Sequence, residues 1–320
     1  RSMVLVYQML SENKKTSYVL LFIFLFFLGM SLIINLPALQ KNFLFADEAI
    51  YYSMTQSLAQ DGDLEYTKKD LNRYFQTFTS GPLGIFLKKG KDNKIFYAKS
   101  FAYPLFAAPF VKIFGTNGFL VFNSILLSLI LFMGFSYCSL SNNPSLSLFS
   151  ILTFLFASVA VVYILWITPD FFNLFLVLSV LFLWLYKHSY QEKKEEKDEK
   201  NKFQVFLLSK WTDYLACLLV GIAVFSKPPN IVLMGPLVLH SLIKKNILKS
   251  LLMILIFLLT SGVFWGVNYM VTGDWNYQGG ERKAFYFNYP LEKENMTFDS
   301  VSGREMTSEG YGTKHLLPPI

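Results

Sequence analysis

Charge is scarce in this chain of 320 residues, and sulfur and imidazole are scarcer: Asp, Glu, Lys and Arg make up 16%, with two cysteines and three histidines. Cys138 and Cys217 both sit inside apolar stretches, which excludes the disulfide framework of a small secreted domain. His188, His240 and His315 are far apart in sequence and lack metal-ligand spacing. No glycine-rich phosphate loop follows a strand, so a nucleotide-binding fold is unsupported. No internal repeat is visible, which argues against the duplicated architecture of many secondary transporters. The formal charge of +7 comes from short lysine clusters beside apolar stretches, without an aromatic and basic groove, so no nucleic-acid partner is expected.

What is abundant is apolar. The chain is 53% hydrophobic and 18% aromatic with a mean hydropathy of +0.39, too apolar for a domain solvated by water on all sides. Tyr18 to Leu36 contains no charged residue, and about 20 such residues cross the ~30 Å hydrocarbon core as a helix. A cleaved signal core is shorter, about 7–15 residues, and Asn35-Leu36-Pro37 is not a small-x-small cleavage site, so this segment reads as a retained anchor. Further spans are predicted near 118–140, 146–167, 171–186, 211–226, 231–243 and 251–271. The expected fold is an all-α integral membrane protein with about seven membrane segments over 1–271. It has a first outer loop at 37–117, a charged cytoplasmic loop at 187–203 and an outer tail at 272–320. The start at Arg1-Ser2-Met3 and the end at Pro318-Pro319-Ile320 lead us to expect a piece of a longer protein.

Lys14-Lys15, the run from Lys187 to Lys202, and Lys244-Lys245 with Lys249 fall on one side if every span crosses, and that side is expected to be cytoplasmic. The tract from Gln191 to Lys200 mixes charges without an apolar face and reads as a solvated linker. Lys227-Pro228-Pro229-Asn230 reads as a helix break between two short spans.

Beyond the first span, Ile50, Tyr51, Met54 and Leu58 recur at helical spacing and predict an amphipathic helix along the outer interface. Asp47 and Glu48 open it. The macrodipole and capping account for acids there, and so does a general base held at the membrane surface. Asp170, in Thr168-Pro169-Asp170-Phe171, serves either as a helix cap or as an active-site acid. Lys227 is either a topological anchor or a phosphate-neutralising cation, and Lys99 by itself reads as an interfacial lysine whose stem snorkels. Asp61-Gly62-Asp63 reads as a turn with a glycine helix cap, and Asn295-Met296-Thr297 matches a glycosylation acceptor only as three-residue patterns do by chance.

Asp47-Glu48 after the first span, an aromatic-bearing helix and a Gly-Asp pair about fifteen residues on resemble the first outer loop of family 39 glycosyltransferases. That family has the GT-C fold and includes protein O-mannosyltransferases and lipid A aminoarabinose transferases. Lys94-Ile95-Phe96-Tyr97-Ala98-Lys99-Ser100-Phe101-Ala102-Tyr103-Pro104, with Phe114-Gly115 ahead of the second span, is similar to the family's second outer helix. The likeness is best over 40–120 and absent from the tail. It implies Asp47 as catalytic base, Glu48 as its support or a ligand to a divalent cation, Asp170 in the active site and Lys99 on the donor phosphate. A glutamate usually precedes that lysine in the aminoarabinose transferases; here it is Ala98, which leaves the metal open. The implied activity moves a sugar from a polyprenyl-phosphate donor to a lipid, glycan or protein hydroxyl. It takes place on the outer face of a bacterial plasma membrane, with inversion. The alternative is a polytopic transporter or lipid flippase without covalent chemistry, and a polymerase or ligase is a third reading.

Overall fold

The computed structural model describes residues 14–40, 43–191 and 202–305. It is mostly helical, at 69%. Among the described residues four helices are long and apolar enough to cross a membrane, which points to a membrane location, and three shorter apolar helices accompany them. Numbered in chain order, α1 is Lys14–Ile33, α2 Asp47–Gln60 and α3 Lys68–Thr77, followed by strands β1 Ile85–Lys89 and β2 Ile95–Tyr97. Next come α4 Ala102–Phe114, α5 Gly118–Cys138, α6 Pro144–Phe156, α7 Ala160–Leu165 and α8 Asp170–Gln191. The chain continues with α9 Trp211–Ser226, α10 Met234–Ile243, α11 Ile247–Thr272, β3 Arg282–Phe285 and β4 Arg304–Glu305. The residues divide into two compact units. One draws on Arg1–Ser31, Phe122–Leu165 and Asp170–Gly262, the other on Leu32–Val121, Trp166–Pro169 and Val263–Ile320.

In the first unit α8 packs along α9 around Val180, Leu183, Tyr186, Ala216, Cys217 and Val220, with Met234 and Met253 closing the cluster. Gly221 lets α9 approach α11, since a Cβ there would lie 2.7 Å from Thr260 Cβ. Outward, Phe22, Leu25 and Phe26 of α1 and Leu251, Leu255 and Leu258 of α11 are exposed. Rows of large apolar side chains on helices of this length suit hydrocarbon as the solvent. The predicted span at 146–167 is interrupted: α6 ends at Phe156 and α7 restarts at Ala160, where the Ser158 hydroxyl accepts the Ala160 N–H. The expected Lys-Pro-Pro break is present. Pro228 and Pro229 lack N–H donors and disfavour a helical Lys227, which is extended at φ −142° and ψ 108°, before a 3₁₀ turn over Pro228–Leu233.

The second unit corrects the all-α expectation. Its four strands form an antiparallel sheet in the order β2-β1-β3-β4, joining the first predicted outer loop to the tail. Lys94 to Pro104, expected as one helix, is strand β2 at Ile95–Tyr97 followed by α4 from Ala102. Buried aromatic and β-branched residues favour the strand. Helix α2 forms where predicted but is not an interfacial helix with one wet face: ten of its residues are buried. Three of its polar residues are buried with a local hydrogen-bond partner. Thr55 donates to Tyr51 O at 2.6 Å, Gln56 to the Tyr52 hydroxyl at 3.3 Å, and Ser57 to Asp63 at 3.0 Å. Tyr52 is enclosed by the rings of Tyr74, Phe78 and Phe119 at 5.1–5.7 Å between centroids. Gly62, at φ 76°, ends α2 in the left-handed conformation expected of the Asp-Gly-Asp turn.

Candidate active site

Helix α2 begins under constraint. Ala46, its N-cap, has φ 48° and ψ −110°, a conformation that an alanine rarely adopts. It is held there from the sheet side, because Ala46 N donates to Leu83 O at 2.7 Å and Phe45 bridges Leu83. No side chain caps the helix. The Asp47 carboxylate instead meets the Lys99 ammonium at 2.9 Å, with Asp47 about half exposed. Lys99 stands 5.1 Å from the Phe86 ring centroid on β1, so an aromatic face and a carboxylate together fix its position. Residues 52 apart in sequence, both singled out where the loop resembles family 39 glycosyltransferases, therefore form one pair.

Glu48 is placed differently. The Gln40 side chain donates to it at 3.1 Å and the Ile167 backbone N–H bonds to it. Burial pushes its carboxyl above the ordinary value, and these two hydrogen bonds pull it part of the way back. Glu48 thus ties the start of α2 to neighbouring backbone, while the adjacent Asp47 faces outward. Among the described residues no group of three His, Cys, Asp or Glu side chains converges as a metal site.

Asp170 and Lys227 lie in the first unit, where they form an ion pair with each other at the start of α8 and the end of α9. Asn173 donates to Ser226 at 2.9 Å, and Asn230 donates to Asn173 at 3.1 Å and to Ala223 O at 3.0 Å. The amide of Asn230 thus gives Ala223 O a second hydrogen bond beside the one from the Lys227 N–H at 2.8 Å, tying the segment after the proline break back to the end of α9. The geometry pairs Asp47 with Lys99, and Asp170 with Lys227; each pair belongs to its own unit.

Other polar groups meet in ways the sequence does not display. Asp213 is buried in α9 and takes both Lys187 of α8 and Lys249 of α11, the latter at 2.6 Å. His188 and His240, distant in sequence, bring their rings to 4.5 Å with Trp184 beside them. His315 and most of the mixed-charge tract fall outside the described residues. Lys88 is fully buried on β1 and donates to Thr272 at 3.2 Å, to Asn276 O at 3.3 Å and to Asp274 at 3.5 Å. Burial lowers its pKa, and Asp274 opposes that. A lysine in a run of strand residues gives no sign in sequence of partners about 190 residues away.

No protein-family model, curated protein or solved structure matches the chain.

Proposed function

We propose that the chain is a membrane glycosyltransferase that moves a sugar from a polyprenyl-phosphate donor to a hydroxyl acceptor on the extracytoplasmic side. The supporting observation is the Asp47–Lys99 pair: an accessible carboxylate at the head of α2 beside a cation seated on an aromatic ring. The two halves of a displacement need such a pair. Asp47 accepts the proton of the acceptor hydroxyl as that oxygen forms its bond to the anomeric carbon. The bond from that carbon to the phosphate oxygen breaks, its electrons stay on the phosphate, and Lys99 neutralises the charge that develops there. Attack opposite the leaving group inverts the anomeric carbon. In the resting protein Lys99 is held by Asp47; a donor phosphate drawing the ammonium toward itself frees the carboxylate to act as base. Donor binding and base activation become a single event.

Asp47 is a better candidate than Glu48, which is engaged by Gln40 and Ile167. With purified protein and a polyprenyl-phosphate sugar, Asp47→Asn is expected to lower turnover by about 10²–10⁴. Unchanged turnover in that variant rules out the assigned role. A second reading, a transporter or flippase, draws support from the broken helix at Pro228–Leu233 and the polar cluster of Asn173, Ser226 and Asn230 beside it. Movement of a labelled lipid across proteoliposomes without release of polyprenyl phosphate selects that reading.

A further inference from the structure

One cavity in the first unit plays no part in the displacement written above. It measures about 290 Å³ and lies between α5, α6 and α8, lined by residues from Ile130 to Cys138, from Ile151 to Leu155 and from Leu178 to Leu185. None of the lining residues is charged, and the Tyr137 hydroxyl and the Cys138 thiol are the only side-chain groups there with a hydrogen to donate. Both stand at one end, where Tyr137 and Ser189 share a hydrogen bond of 3.1 Å that ties the last turns of α5 and α8. Gly134 lets α6 close against α5 beside the cavity, since a Cβ there would lie 2.4 Å from Ile151 Cδ1. The cavity is not sealed: Phe154 and Tyr137 are 46% and 37% exposed, and Leu178, Leu181 and Leu185 are half-buried.

The exposed side chains around it, Leu129 of α5 with Phe149 and Phe156 of α6, belong to the apolar surface that suits hydrocarbon. The cavity continues that surface inward, and an apolar hole does not hold water. An apolar cavity of ~150 Å³ takes one benzene ring, so this one takes a chain segment of about a dozen carbons. One turn of helix, about 10 Å across and 5.4 Å long, already exceeds the volume, so the occupant is a flexible chain and not a partner helix.

Charge selects the lipid. The contacts of Tyr137 with Ser189, of Asp213 with Lys187 and Lys249, and of His188 with His240 gather the ends of α5, α8 and α10 and the starts of α9 and α11. That end of the unit carries Lys187, Lys210, Lys244, Lys245 and Lys249. Asp213 is the acid among them, and the unit's other described acid, Asp170, opens α8 at the far end. The tract from Glu192 to Lys200 adds five acids and four lysines, so the excess stays positive. Lys187 and Lys249 are engaged by Asp213; the summed excess, not any one lysine, sets the potential. This is the end expected to face the cytoplasm, whose leaflet carries anionic lipids.

We propose that the cavity holds one acyl chain of an anionic phospholipid from that leaflet, with the headgroup at the lysine-bearing end. Such a lipid joins α5 and α8 to α6, which at 13 residues is too short to span the bilayer by itself. The inference needs the membrane location alone and is independent of the transferase reading.

The test is native mass spectrometry of the full chain released from nanodiscs of equal phosphatidylglycerol and phosphatidylcholine, repeated with undecaprenyl phosphate added. One phosphatidylglycerol is expected to be retained, at least about fivefold over phosphatidylcholine, with the ratio falling as salt rises. Leu181→Trp and Leu178→Phe add bulk to the cavity from half-buried positions, and each is expected to cut retention by about tenfold. Leu255→Trp, on the exposed row of α11, is the control and should leave retention unchanged. Each variant is checked for an unchanged Tm, and the one that folds decides. A further arm needs no variant: dibutyryl phosphatidylglycerol has the same headgroup and almost no chain, and is expected to be lost. Its retention at the level of the long-chain lipid overturns the cavity as the site, and so does retention indifferent to both cavity variants. Equal retention of the two phospholipids, or their replacement by undecaprenyl phosphate, overturns the anionic phospholipid as the occupant.

Discussion

Ala46 and Glu48 flank the proposed base and carry opposite lessons. Ala46 is strained by about 1–3 kcal/mol at its positive φ, while glycine would add about 0.5–1 kcal/mol of backbone entropy lost on folding. Ala46→Gly is therefore expected to stabilise the protein by about 1 kcal/mol and raise its Tm in detergent; a lower Tm would show that the alanine methyl matters more than the backbone does. Glu48 has its folded pKa raised by burial from 4.5. Its contribution to stability is full below that value and is lost as pH rises through the higher folded value. Glu48→Gln keeps the neutral shape, so unfolding measured from pH 4 to 8 should show little difference at the acid end and a growing advantage for the variant above it. At this scale the sequence was informative: Asp47 and Lys99 were both singled out, and they meet. The partners of Lys88 were not legible, because a strand of five residues gives no sign of Thr272 and Asn276 far along the chain.

Among the elements, α8, α9 and α11 are joined at Asp213, where one buried carboxylate serves two lysines. Removing it leaves two cations facing one another in an apolar bundle. Asp213→Leu is expected to cost about 3–5 kcal/mol, read as a large fall in Tm, and adding Lys187→Met is expected to restore part of it. Equal stability of Asp213→Leu and wild type means that the two lysines reach water unaided. Most helices were legible from apolar runs, and the break before α10 from its prolines. The surroundings of α2 were not, because Ser57 and Gln56 look solvent-facing until Asp63 and Tyr52 supply their hydrogen bonds. The interruption at Ser158 was hidden for a related reason: a hydroxyl within an apolar run does not announce that it will cap a new helix start.

For the whole molecule, the exposed apolar rows of α1 and α11 lead us to expect the protein in the membrane pellet after alkaline carbonate extraction; release into the supernatant would contradict the spanning assignment. Composition and run length made that property legible, whereas the sheet was invisible because it is assembled from distant parts of the chain. Ile85 pairs with Phe285, about 200 residues further on. At about 5–20 residues per second, β1 emerges from the ribosome roughly 10–40 s before its partner. For that interval the first loop has a strand edge with no neighbour on the β3 side, where a second nascent chain or a chaperone can compete for it. The protein's yield on expression should therefore depend on how fast the segment between the two strands is translated and inserted.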